Sequence, residues 1–254
     1  MQKNKITIAT DKLHIDKLKI RFRDHKFLET KDITDFYKTF EPNVKQTTIN
    51  WRVYVLIQMG ILSRIGRGKF SIGESKFYFP EISSKIKSVY TKLKKEFPYL
   101  KICIWHTSVF NEFMLHQPGR FYLIVEVDKE ATQSVFHFLK ELKYPVFIEP
   151  TNDLLEKYLP VEKEALILKP LVSEAPIQNV KGINTASLEK MLVDVFCDDI
   201  VFSAQQGAEM RTIFKEALNK YSVNQSRMLR YADRRRKKES YNKYLNSITN
   251  LRQH

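Results

Sequence analysis

Long apolar runs are missing from this 254-residue chain. No stretch approaches the ~18 consecutive apolar residues of a membrane span, and the opening MQKNKITIATDK lacks the apolar block of a secretory signal. Cysteine is equally scarce. Cys103 and Cys197 lie far apart inside apolar runs, the setting of reduced core thiols, and two are too few for a zinc site. Only 7 glycines and 9 prolines argue against a disordered or low-complexity chain. No Gly-rich phosphate loop, nucleophile elbow or HExxH is present. These absences lead us to expect a cytoplasmic protein that is not an enzyme and uses no cofactor or metal.

What is present in excess is positive charge, a formal +14, and it is unevenly spread. Residues 1–73 hold 15 Lys/Arg against 7 Asp/Glu, and residues 219–254 hold 10 against 2. The stretch between them is slightly acidic, with 18 against 20. Positive charge gathered at two ends suits a polyanion such as DNA or RNA, because phosphate contacts release counterions. A solubility device, or two solvated helix faces, would give the same count.

The length and the 43% hydrophobic content support two domains. The first, residues 1–75, reads as three helices and a hairpin. Leu13, Ile15, Leu18 and Phe22 are close to helical spacing. Thr30 can cap a second helix that buries Ile33, Phe36, Tyr37 and Phe40, and EPN then breaks the chain. A third helix is predicted from Lys45 to Met59, with Ile49, Val53, Leu56 and Ile57 as its stripe and Gly60 as its stop. The alternation in ILSRIGRGKFSI, folded about Gly66-Arg67-Gly68, predicts a basic hairpin.

The second domain, residues 76–254, alternates helices and strands before turning helical. Helices are expected at 82–96, 108–115 and 129–142, and strands at Lys101–His106, FYLIVEV, YPVFI and 165–168. A basic helical segment fills about 187–254, beginning with SLEKMLVDVF capped by Ser187. The fold class is thus α/β (α+β): a winged helix-turn-helix, then a mixed α/β domain with a helical C-terminal portion.

In a helix-turn-helix the second helix of the unit enters the major groove with its N-terminal residues leading. Those residues here are Lys45, Gln46, Thr47, Thr48, Asn50 and Arg52, all polar or basic, and they are expected opposite Ile49, Val53 and Leu56. Gln and Asn can read adenine, while Lys and Arg suit guanine or phosphate. Arg64, Arg67 and Lys69 at the wing suit phosphate or the minor groove. Further along, Arg227, Arg230 and Arg234 fall at helical spacing beside Arg235 and Arg236. That positive stripe is expected to contact DNA, RNA or an acidic partner.

Several segments resemble a known family. TTINWRVYVLIQMGILSRIGRGKFSIG is similar to the N-terminal winged helix of the abortive-infection AbiEi-type antitoxins. INTASLEKMLVDVF resembles that family's segment in which Thr185, Glu189, Lys190, Leu192, Val193 and Asp194 match. WHTSVFNEFMLHQPGRFYLIVEV and NQSRMLRYADRR resemble a Bacteroides-type branch of the group. One departure stands out: Ser187 and its neighbours replace the proline usual before the acidic-basic pair. The resemblance implies a type IV toxin–antitoxin system used in phage defence. Its antitoxin represses its own operon; a dimer, or two monomers on repeated half-sites, would supply the affinity such binding needs. It also counters a nucleotidyltransferase-like toxin, with or without direct contact.

Two other classes stay open. Glu126 and Asp128, two apart at the end of FYLIVEV, could hold a divalent ion in a nuclease with a winged targeting domain. A helix N-terminus that favours acidic residues explains them more cheaply. An interaction adaptor without DNA binding is the other class. His106 and His116 flank a helix that carries Glu112, a spacing that suits capping and hydrogen bonding better than catalysis.

Overall fold

Three short helices and a small antiparallel sheet make up the first of two units, Met1–Phe77 and Tyr78–His254, in a computed structural model. The described residues are 10–23, 25, 27–73, 77–151, 153, 154 and 164–250. Most of the opening segment, and the last four residues of the expected basic helical segment, lie outside them.

In the first unit, α1 (Ile15–Arg21) follows a 3-10 turn, and β1 (Leu28–Glu29) leads into α2 (Thr30–Lys38). The Glu29 backbone N–H donates to Asp32 Oδ2 at 2.7 Å, so Glu29, one residue before Thr30, occupies the cap position. Thr30 instead faces the hairpin: its N–H and its hydroxyl both donate to the Gly68 carbonyl. The third helix, α3 (Gln46–Gln58), buries Ile49, Val53 and Leu56. It ends as Gly60 turns left-handed at φ +71. The Ile61 N–H then reaches back to the Leu56 carbonyl at 2.9 Å, and the Gly60 N–H to that of Ile57 at 3.1 Å, a six-to-one plus five-to-two closure that satisfies orphan carbonyls.

The chain then folds into the hairpin β2 (Leu62–Gly66) and β3 (Lys69–Ile72), with sheet order β1-β3-β2. β1 pairs antiparallel through Leu28 and Phe70. Two residues of strand carry no periodicity of their own, so the sequence announces the hairpin but not this third strand. Leu18, Tyr37, Ile49, Leu56, Leu62 and Phe70 belong to one core.

The second unit is built on a four-stranded mixed sheet of order β4-β5-β7-β6. Its strands are β4 (Ile102–His106), β5 (Tyr122–Val127), β6 (Val146–Ile148) and β7 (Ala165–Pro170). β4 runs antiparallel to β5, while β5 and β6 flank β7 in parallel. The strand pleat sends alternate residues to opposite faces. Ile104, Leu123, Val125 and Leu166 meet α4 (Ser84–Glu96) and α5 (Thr132–Glu141). Trp105, Ile124, Ala165 and Ile167 face the helices α6 (Leu188–Cys197), α7 (Ala208–Lys220), α8 (Gln225–Arg234) and α9 (Lys238–Asn250). The expected helix at 108–115 is a 3-10 stretch, Thr107–Glu112. A hairpin absent from the sequence reading, β8 (Ile177–Val180) and β9 (Ile183–Ala186), enters α6. The fold class is mixed α/β with a helical C-terminal region. Among the described residues no helix is long and apolar enough to cross a membrane.

Candidate nucleic-acid interface

Burial divides the residues expected at the interface. Lys45 stands at the N-cap of α3 in extended conformation; Lys45, Gln46, Thr47 and Asn50 are exposed and Thr48 is half-buried. Gln46 Nε2 donates to Asn50 Oδ1 at 3.1 Å, one turn along the same face. Arg64 and Arg67 are exposed and Lys69 is half-exposed. Lys69 Nζ lies 4.9 Å over the Phe27 ring, and the Arg64 guanidinium packs at 5.5 Å over Phe70. Gly66 and Lys69 pair across a two-residue turn, Arg67-Gly68, whose second residue adopts φ +69. Glycine enters that conformation without strain.

Arg52 corrects the expectation. It is 3% exposed, not on the outer face. Its Nη2 donates to Glu41 Oε1 at 2.7 Å, and its guanidinium lies 4.7 Å over the Tyr37 ring. The inner arc of α3 is wider than the stripe of Ile49, Val53 and Leu56, and the break after α2 delivers Glu41 to that arc. Arg52 therefore ties α3 to α2 and is not placed to read a base. Burial pushes the Tyr37 hydroxyl up to about 12 even with the cation beside it. It donates to the Leu13 carbonyl at 2.9 Å.

The outer face of α3 instead carries two rings the sequence reading passed over, Trp51 at 47% exposure and Tyr54 at 56%. Their signal was present: both fall outside the Ile49–Val53–Leu56 stripe. Leaving such rings half in water forgoes about 1 kcal/mol each.

The C-terminal cations divide as well. Arg230 and Arg236 are exposed and Arg227 is half-buried. Arg234 is held by Glu174 at 2.5 Å on the surface, a pairing of small energetic weight. Arg235 is a second correction: its Nη1 donates to Asp194 Oδ1 at 2.7 Å inside the second unit, so it is not an outward contact.

That ion pair belongs to a network between the sheet and α6. Lys190 is fully buried. Its Nζ lies 2.7 Å from the Glu126 carboxylate and pairs with Asp194 one turn along α6. Trp105 Nε1–H donates to Glu126 Oε2 at 3.2 Å, and the Tyr231 hydroxyl donates to Asp194 at 2.8 Å. Burial opposes the charge on Lys190, but Asp194 and Glu126 outweigh it and hold the ammonium well above its ordinary range. Burial likewise opposes the Asp194 carboxylate, yet Lys190 and Arg235 lower its pKa. Lys169 pairs with Asp198 nearby in the chain of contacts. Protein donors from Trp105 and Lys190 thus occupy both oxygens of Glu126.

Other candidates turn to separate partners. His106 Nδ1 accepts the Ser108 N–H at 3.2 Å, which caps the 3-10 stretch and leaves Nε2–H to donate to Glu164. His116 pairs with Glu209 at 2.9 Å, and Glu112 accepts from the Tyr221 hydroxyl at 2.6 Å. Among the described residues no group of three His, Cys, Asp or Glu is arranged to hold a metal ion.

A family model matches residues 48–251, from within α3 to beyond α9. The chain belongs to the DUF6577 family. DUF6577 is described as a family of unknown function, and no curated protein matches the chain. The DUF6577 match takes in the rings of α3, the hairpin, the sheet and the buried network, while Lys45, Gln46 and Thr47 precede it.

Proposed function

We propose that the protein is a DNA-binding transcriptional regulator whose first unit acts as a winged helix-turn-helix. One observation carries this reading: the N-terminal half of α3 presents Lys45, Gln46, Thr47 and Asn50 outward, in the same unit as an exposed Arg64/Arg67 hairpin. A polar helix end can enter a major groove while a basic turn meets the backbone. The +8 balance of residues 1–73 supports it, since localised cations attract a polyanion. Arg230 and Arg236 add exposed positive charge in the second unit.

The resemblance to AbiEi-type antitoxins extends the proposal to a cytoplasmic autoregulator that binds its own operator and counters a nucleotidyltransferase-like toxin. Thr185, Glu189, Lys190, Leu192, Val193 and Asp194, which carry part of that resemblance, are all buried. Their contribution is to the fold, so a toxin-facing surface would use other residues.

The test is binding of the full chain to the DNA upstream of its gene over a salt series. Arg64→Ala/Arg67→Ala is compared with Arg52→Ala. Binding that falls steeply with salt and is weakened by the wing pair supports the proposal. Salt-insensitive binding, or none, would sink it and move the protein to the adaptor class.

A further inference from the structure

The outer face of α3 is notable for the charge it lacks. The helix Gln46–Gln58 contains no acidic residue and a single cation, Arg52, and that cation is spent on Glu41 and Tyr37. Lys45 at the N-cap is the only charge at its leading end. Guanine offers two acceptors, N7 and O6, to the major groove and is read chiefly by Arg or Lys. The body of this helix face has neither to offer.

What the face does present is arranged in two rows, because residues four apart share a line along a helix. One row is Gln46 and Asn50, joined by Gln46 Nε2–H donating to Asn50 Oδ1. This bond orients both amides and leaves Gln46 Oε1 as an acceptor beside Asn50 Nδ2 as a donor. An acceptor next to a donor complements adenine, whose N6 donates and whose N7 accepts. The neighbouring row is Thr47 and Trp51, a methyl followed by an exposed ring, and Tyr54 lies between the two rows, one turn beyond Asn50. An apolar row beside an adenine-reading pair matches the C5-methyl of thymine, which lines the same groove.

We infer that α3 reads A·T base pairs in duplex DNA, with Gln46 and Asn50 on adenine and Thr47 and Trp51 on thymine methyls. The inference rests on the DNA-binding reading above and specifies its sequence class.

The experiment uses the full chain and a library of duplexes with a randomised 12-base-pair centre, selected by binding at moderate salt. Recovered sites are then tested with thymine replaced by uracil, which removes only the methyl. The expected result is enrichment of A·T at the contacted positions. Replacing a contacted A·T by G·C should then cost about 5- to 150-fold per pair, and each contacted methyl lost about fourfold. Asn50→Ala should relax the preference for adenine, and Trp51→Ala should remove the uracil effect at one contacted methyl while Thr47 keeps its own, with circular dichroism verifying that both variants fold. Tight duplex binding with G·C enrichment, or with no response to uracil, overturns the A·T reading and leaves DNA binding intact. Failure to retain any duplex overturns both.

Discussion

Arg52 and Lys190 are both cations used to join elements of their own unit, but they differ in what surrounds them. Arg52 bridges to a half-exposed Glu41 and covers a ring, so Arg52→Ala loses one charged hydrogen bond and a stacked contact. A loss of about 1–3 kcal/mol of unfolding free energy in urea is expected, and under the proposed DNA binding the salt dependence is unchanged per molecule folded. Lys190 sits between two buried carboxylates. Lys190→Met leaves Glu126 buried without a cation and Asp194 with Arg235 alone, and about 3–5 kcal/mol should be lost. Glu126→Gln/Lys190→Met should recover part of that loss, because no unpaired carboxylate then stays at Glu126 while Asp194 keeps Arg235; equal instability of the two variants in denaturant titrations would argue against the electrostatic account. Glu164 sets a pH dependence. Burial opposes its charge, but hydrogen bonds from His106 and Lys85 hold its pKa down at about 2, against an ordinary 4.5. A depressed carboxylate stabilises the fold above its unfolded value and stops doing so as pH falls through its folded one. The stability gap between wild type and Glu164→Gln should therefore shrink from pH 4.5 toward pH 2, read from urea midpoints. The Lys190–Asp194 spacing is legible in the sequence as an i,i+4 pair inside an apolar run. Glu126, 64 residues away, is not, since only the fold brings it there.

At the scale of elements, what could be read followed the strength of local periodicity. The stripes of α3, α4, α5 and α6 and the apolar run of β5 stand out in the chain. β8 and β9 do not, because IQNV and INTA mix polar and apolar residues without a clear period. The hairpin of the first unit shows how a turn can be tied to a distant helix. A Cβ built on Gly68 would meet Thr30 Oγ1 at 3.1 Å, and φ there is +69. Gly68→Ala should thus cost about 1 kcal/mol or more. It should also speed hydrogen exchange at the Thr30 amide, which donates to the Gly68 carbonyl at 2.8 Å. Unchanged protection at Thr30 would mean the turn does not hold α2 in place.

Over the whole molecule, two positive blocks that look alike in sequence have different fates. In the first unit Arg64 and Arg67 are exposed, and under the proposed DNA binding removing both should reduce the slope of log affinity against log salt by about two. In the second unit Arg235 turns inward, and its helices supply Met228, Tyr231, Tyr241, Leu245 and Ile248 to the core. A chain ending at Tyr221 is therefore expected to lose the cooperative thermal unfolding of its second unit, whatever its effect on binding. The same feature bears on how the protein is made. The sheet face holding Trp105 and Glu126 waits for partners that leave the ribosome about a hundred residues later, a delay of roughly 5–20 s at ordinary rates of synthesis. During that interval a half-covered apolar surface is open to chaperones, and to neighbouring nascent chains.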